Sequence, residues 1–451
     1  MSGIFDTAVN AFSVQSLRKR LLYTFMILGI FMLGGLVPVP CIDGKEFNSI
    51  LQQWGQLGSI MDLVSGGGLF HASILSMGVS PYINASIIIQ LLTVVIPALE
   101  ELSKEGASGR KKMDKITRYS AIGLALVQSS LFCFSTRASL IEIIPNAKWL
   151  SAILVVASFT AGAALVVFLG EKINDVGIGN GVSLIIFAGI CTRLPEMAKT
   201  LYAKSVEISG YFDNAIVGAL VGIAVFLLAT CVALVIIVFV IYVQDSERRI
   251  PVQYSKKVIG RNQRGGNRDY LPLKVNMSGV MPVIFAMSIL AVPNIIVTMF
   301  IKNPGKVATW FQESFTQNGS GAVWYYLTYF VLIFAFTFFY SSINFHPIEI
   351  ANNINQNGGT ISGIRAGKPT TEFIKKAAFR LNWIEACFLV LVCILPTVVG
   401  HLTGFENVVF AGTSVLILTS VADDLIRQVE GELEVRSPKG FLEDLTVKKK
   451  K

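Results

Sequence analysis

Ten apolar stretches, each near the length that a helix needs to cross a bilayer, leave this 451-residue chain few possible folds. They fall at about 20–39, 76–98, 118–136, 149–169, 180–200, 214–243, 273–301, 322–345, 374–400 and 405–425. A hydrocarbon core about 30 Å thick takes about 20 apolar residues of helix. No water reaches the backbone there, so each stretch must satisfy its own N–H and C=O groups, which a helix does. Composition agrees: 53% of residues are hydrophobic, 15% are charged and the mean hydropathy is +0.61, outside the range of soluble domains. The expected class is an all-α integral membrane protein with ten transmembrane helices. The first stretch follows a basic run, and no small-residue cleavage site follows it, so it reads as a retained span.

Basic residues give the orientation. Segments on one side of the ten spans hold 30 of the 38 Lys and Arg residues, and those on the other side hold 8. By the positive-inside rule both termini are expected in the cytoplasm. The same asymmetry accounts for most of the net charge of +9, which therefore says nothing about nucleic acid.

The membrane core is short of chemistry. Most spans carry no ionisable residue in their central turns, and the clearest exception is Glu385 in the ninth. A secondary transporter of a small solute, the alternative reading, places charge at mid-membrane, where it is costly and kept for function. Gly367-Lys368 sits in a poor phosphate-loop match, with Ser362 where a glycine is needed and Pro369 where a hydroxyl is needed. His71, His346 and His401 are far apart and form no His-Glu-x-x-His pair, and no Gly-x-Ser-x-Gly elbow occurs. Cysteines at 41, 133, 191, 231, 387 and 393 have no metal or redox spacing. No enzyme activity, metal site or cofactor is expected.

Ahead of the second span lies a different kind of segment. Residues 59–75, with Asp62, Gly66, Gly67, Gly68 and His71, are too short and polar to cross a bilayer. Each glycine costs a helix about 1 kcal/mol relative to alanine. Such backbone survives at membrane depth only when buried in protein or lining a cavity. It reads as a movable half-helix inside a pore.

Several blocks carry a family likeness. Gly78 through Leu92 (GVSPYINASIIIQLL), Gly177 through Ile190 (GIGNGVSLIIFAGI) and Tyr270 through Pro282 (YLPLKVNMSGVMP) closely resemble the SecY family of bacterial protein-conducting channels. Gly363-Ile364-Arg365-Ala366-Gly367 and Gly412-Thr413-Ser414 add two shorter matches, so the likeness covers nearly the whole chain. The resemblance implies two pseudo-symmetric five-helix halves around a central pore, with a re-entrant plug helix at about 59–75. The halves would be residues 1–200 and 201–425, with cytoplasmic loops 244–274 and 346–372 and a cytoplasmic tail at 426–451.

Carried onto this sequence, the family's apolar pore ring falls on Ile83, Ile87, Ile186, Ile190, Ile284 and Ile417. The pairs 83/87 and 186/190 are four residues apart and stack on one helix face. A collar of stiff, β-branched isoleucine offers a passing chain no hydrogen bonds and excludes water when empty. Residues 59–75 would be the plug. The second and seventh spans would form the lateral gate, with Gln90 and Asn276 beside it; interhelical hydrogen bonds there are worth about 0.6–2 kcal/mol.

The loop 245–272 alternates polar and apolar residues on either side of Arg261 through Arg268, which predicts a two-stranded hairpin with a basic tip. Arms of about ten residues would project roughly 30 Å. By resemblance, this loop and 346–372 dock the ribosome and the SecA ATPase, with Arg261, Arg264 and Arg268 suited to ribosomal RNA phosphates and Arg365 as the key arginine. The likeness also implies SecE and SecG subunits, signal sequences and nascent polypeptides as partners, anionic lipids near the basic loops, and a bacterial plasma-membrane location.

Overall fold

The computed structural model describes residues 12–53, 68–69, 72–136, 141, 148–209, 215–254, 257–259, 262–264, 268–300, 322–403 and 412–436. The chain runs through helices α1 (Gln15–Gly34), α2 (Gly44–Gln53), α3 (Ser80–Val95), α4 (Pro97–Lys104), α5 (Ala107–Ser135), α6 (Lys148–Val176), α7 (Gly181–Ser209) and α8 (Ala215–Gln244). Strands β1 (Glu247–Tyr254), β2 (Lys257–Ile259), β3 (Asn262–Arg264) and β4 (Arg268–Lys274) follow. Then come α9 (Met281–Phe300), α10 (Ala322–Asn344), α11 (Pro347–Gln356), β5 (Gly359–Ile361), α12 (Lys368–Thr403) and α13 (Gly412–Arg436).

A helix stands at each of the ten apolar stretches. Among the described residues, five stretches are long and apolar enough to cross a membrane: Trp149–Val176, Gly181–Glu207, Leu220–Gln244, Val323–Gln356 and Lys368–Pro396. The second stretch ends earlier than its hydropathy suggests. Pro97 forces Ile96 into extended backbone (φ −101°, ψ 111°), and α4 leaves α3 at a bend of 102°. The seventh apolar stretch becomes helical only at Met281, the start of α9, because Leu273 and Lys274 close β4.

The chain divides into two compact units: Met1–Glu196 with Pro293–Gln312 and Val421–Lys451, and Met197–Val292 with Glu313–Ser420. In α7 the division falls one residue after Pro195, which lacks the N–H that a continuous helix would use.

In the first unit, Phe132 of α5 lies edge-on between Phe47 of α2 and Phe159 of α6, with both ring centroids 5.6 Å away. Leu69, Ala72 and Met77 join this core. At the other end of α1, Leu17 and Leu21 pack with Ile178 and Val429, and Arg20 pairs with Glu432 at 2.9 Å.

In the second unit, β1 pairs antiparallel with β4 from Glu247↔Lys274 to Gln253↔Arg268, and β2 pairs with β3 at the tip. The hairpin read from the alternation is therefore present. It also gains a third strand: β5, from the other cytoplasmic loop, pairs with β1 at Val252↔Ile361, Gln253↔Thr360 and Tyr254↔Gly359. Ile250, Val252, Leu273 and Ile361 turn to one face and pack on Ala351 and Ile354 of α11 and Ile374, Ala377 and Leu381 of α12.

Candidate functional site

The first unit supplies four of the six expected ring positions. Ile83 and Ile87 lie on α3 and are 7% and 5% exposed; Ile186 and Ile190 lie on α7 and are 6% and 2% exposed. Neighbours that the ring does not include are as deeply covered, for example Ile89 and Ile185 at 6% and 1%. Burial therefore does not single out the ring. Farther along α3, Ile88, Leu91, Val94 and Val95 are exposed, so the helix is enclosed in its first turns and bare at its end. Ile284, half-buried on α9, and Ile417, buried on α13, belong to the second unit.

The local geometry explains one of the sequence blocks. In Gly177 through Ile190, the Asn180 side-chain oxygen accepts the N–H groups of Val182 and Ser183 at 3.2 and 3.4 Å, capping α7. Asn174 Oδ1 accepts the Gly181 N–H at 2.7 Å, and Thr24 Oγ1 accepts the Ile178 N–H at 3.1 Å. The turn that launches α7 is thus fixed from both α1 and α6.

Of the expected plug residues, Asp62, Gly66, Gly67 and His71 lie outside the described residues, and Gly68 lies within them. The Gly68 carbonyl accepts the Ser73 N–H and the Ser76 hydroxyl, both at 3.0 Å. Residues 72–74 are bridged to 37–39 through Val39 N–H to Ala72 O (2.8 Å) and Ile74 N–H to Val37 O (2.9 Å). The lead from Gly68 into α3 is thus held by hydrogen bonds.

At the expected gate, Gln90 Nε2 donates to Ser86 Oγ on its own helix at 3.1 Å. Asn276 Oδ1 is buried with no hydrogen-bond partner among the described residues.

Arg365 is exposed on the turn between β5 and α12. Gly363 and Gly367 flank it with φ of +80° and +98°, conformations that a side chain would strain. Its carbonyl accepts the Thr370 hydroxyl at 2.9 Å, and Ile364 N–H closes back on Ile361 O at 3.0 Å. Both glycines of the sequence block are needed to present this arginine outward. Arg261 lies outside the described residues; Arg264 and Arg268 stand on β3 and β4.

Sequence reading missed two features: the pairing of β5 with the hairpin, and the contact of Glu385. The Glu385 side chain is fully buried, and its Oε1 accepts the Ser278 N–H at 2.8 Å. A carboxylate in an apolar span was a visible signal, but its partner 107 residues away was not.

Comparison with known proteins completes the picture. Residues 73–426 match the family model described as SecY. The protein translocase subunit SecY of Streptomyces griseus is 38% identical over 453 residues, covering 97% of this chain and all of the relative. The chain belongs to the SecY family. It is accordingly a plasma-membrane protein and the channel subunit of a protein translocase, not an enzyme. Solved structures share its fold. One, described as the plug domain of the SecY protein stabilizing the closed state of the translocation channel, has a TM-score of 0.64 at 18% identity, with 92% of each chain covered. Another, Sec61 in a canine ribosome-channel complex from the endoplasmic reticulum, has a TM-score of 0.58 at 17% identity, again over 92% of each.

Proposed function

We propose that this chain forms a passive pore through which unfolded polypeptide leaves the cytoplasm, and from which membrane segments exit sideways into lipid. The observation that carries this reading is the match to SecY relatives over nearly the full chain. Ile83, Ile87, Ile186, Ile190, Ile284 and Ile417 form the collar. Residues of about 59–75, including Asp62, Gly66, Gly67, Gly68 and His71, stopper it. Support for a stopper comes from the related SecY structure whose description assigns that role to its plug domain. Gln90 on α3 and Asn276 before α9 flank the lateral gate. The ten spans divide into two five-helix halves, with both termini cytoplasmic.

Energy comes from a bound partner. Arg261, Arg264, Arg268 and Arg365 dock the ribosome or the SecA ATPase. Sec61, of the same fold, occurs in a complex with the ribosome, which supports the first. SecE and SecG complete the channel, and anionic lipids contact its basic cytoplasmic loops. The SecY family match gives no support to a small-solute transporter.

The test is to stall a secretory polypeptide in the channel and crosslink it to single cysteines at the six collar positions. All six are expected to react, and cysteines at Ile88 and Val94 are not. Crosslinks at Ile88 and Val94 with silence at the collar would overturn the assignment.

A further inference from the structure

Glu385 has no place in the proposed collar, and it sits among polar side chains from three segments of the second unit. The turn that leads into α9 carries Asn276 and Ser278; α10 contributes Thr337 and Ser341; α12 contributes Asn382 and Glu385. Ser278, Thr337, Ser341, Asn382 and Glu385 are all buried. Ser278 N–H donates to Glu385 Oε1 at 2.8 Å, the Ser278 hydroxyl reaches Thr337 O at 3.4 Å, and Ser341 Oγ donates to Asn382 Oδ1 at 2.9 Å. The turn that leads into α9 thus rests on a polar seam. One of its short bonds to the body of the unit, from the Ser278 N–H, is to the Glu385 carboxylate.

That seam is half satisfied. Glu385 Oε2 and Asn276 Oδ1 are buried with no hydrogen-bond partner among the described residues. A hydrogen bond to a carboxylate is strong and directional. A buried polar group without a partner works against the same contact, because separation would let water reach it. A tie of this kind holds one geometry sharply yet releases at small cost. Apolar packing would instead let the turn slide.

We propose that Glu385 is a positioning residue that latches the entry turn of α9 through the Ser278 amide, and so sets how readily α9 moves to open the lateral gate. This rests on the reading of α9 as a gate helix. The latch is specific in its chemistry: it needs an acceptor at Oε1, and it does not need the charge. Glu385→Gln keeps that acceptor, whereas Glu385→Leu fills the space and removes the bond.

The test uses the assembled channel in membranes. Amide exchange in peptides spanning Ser278 is expected to be slow in the natural protein and in Glu385→Gln. It should be about tenfold faster in Glu385→Leu, the factor that follows from losing one hydrogen bond at the upper end of the ordinary range. Export of a substrate with a defective signal sequence should rise by a similar factor in Glu385→Leu alone. Unchanged exchange in Glu385→Leu, or equal export gains in both variants, overturns the latch. If Glu385→Leu does not accumulate, the natural protein decides: rapid exchange at Ser278 overturns the proposal and protection supports it. Signal-sequence crosslinking to Met287→Cys on α9 separates the two readings. Its absence defeats the gate assignment and leaves the Ser278 exchange result standing.

Discussion

Gly359→Val should detach β5 from β1 and so unfasten one cytoplasmic loop from the other. A Cβ at Gly359 would lie 2.9 Å from Tyr254 Cε1, 3.0 Å from Ile354 Cγ2 and 3.1 Å from the Ile354 carbonyl oxygen. The ring edge and the backbone oxygen close the site from two sides, and valine adds two methyl groups beyond the Cβ. Overpacking of this kind costs about 1–3 kcal/mol. What it works against is small. Three paired residues hold β5 in the sheet, contributing about 1 kcal/mol per hydrogen bond, and Ile361, 3% exposed, adds about 1.5–3 kcal/mol by burial. Loss of 1–3 kcal/mol would therefore take a large part of the attachment, and the open population should rise about 5- to 150-fold at about 1.4 kcal/mol per factor of ten.

Hydrogen–deuterium exchange on the purified channel reads this directly. Amides of residues 359–361 should exchange faster by that factor. Those of the β1–β4 ladder, held by seven residue pairs, should not change. Arg365 sits on the turn that follows β5, so motor-driven translocation should fall severalfold while insertion of the chain into the membrane continues. Exchange at 359–361 that stays at its natural rate, or that rises equally along Glu247–Tyr254, would refute the reasoning.

Arg365→Glu should abolish SecA-driven transport while leaving the chain inserted and folded; normal transport into vesicles carrying this variant would refute the docking role. Deleting residues 61–70 should leave the channel assembled but leaky, measured as ion conductance in planar bilayers, and an unchanged closed-channel conductance would discard the plug. Ile417→Asn should hydrate the collar and admit substrates with defective signal sequences, and export of such a substrate at the natural level would remove Ile417 from the ring.

The helices were legible because bilayer length and apolar composition act over about 20 residues, far enough to outweigh local noise. The hairpin was legible through its alternation, with Ile250 and Val252 buried between exposed neighbours. Three things were not. Gly359–Ile361 is too short to show a period, and only its partner β1 makes it a strand. Pro97 was visible, but the apolar run up to Ile96 hid the bend that it imposes. The collar was the least legible of all. Ile83, Ile87, Ile186 and Ile190 are chemically identical to Ile89 and Ile185, and all six are buried to similar degrees. Only the family likeness distinguished them, since periodicity gives the face of a helix and not what that face meets.

The extra strand changes how the proposed docking loops would work. Two separate basic prongs would each move on their own hinge, and a partner's push on one would be lost as motion of that loop. Here β5 joins the 346–372 loop to the hairpin, and the shared apolar face seats both on α11 and α12. Arg365 leaves this assembly on a turn whose two glycines and Thr370 bond fix its direction. A load applied at Arg365 or at the hairpin therefore reaches the same helix, α12. Farther along, that helix carries Glu385, whose carboxylate holds the turn into α9. The proposed docking surface and the proposed gate root thus share one helix, α12.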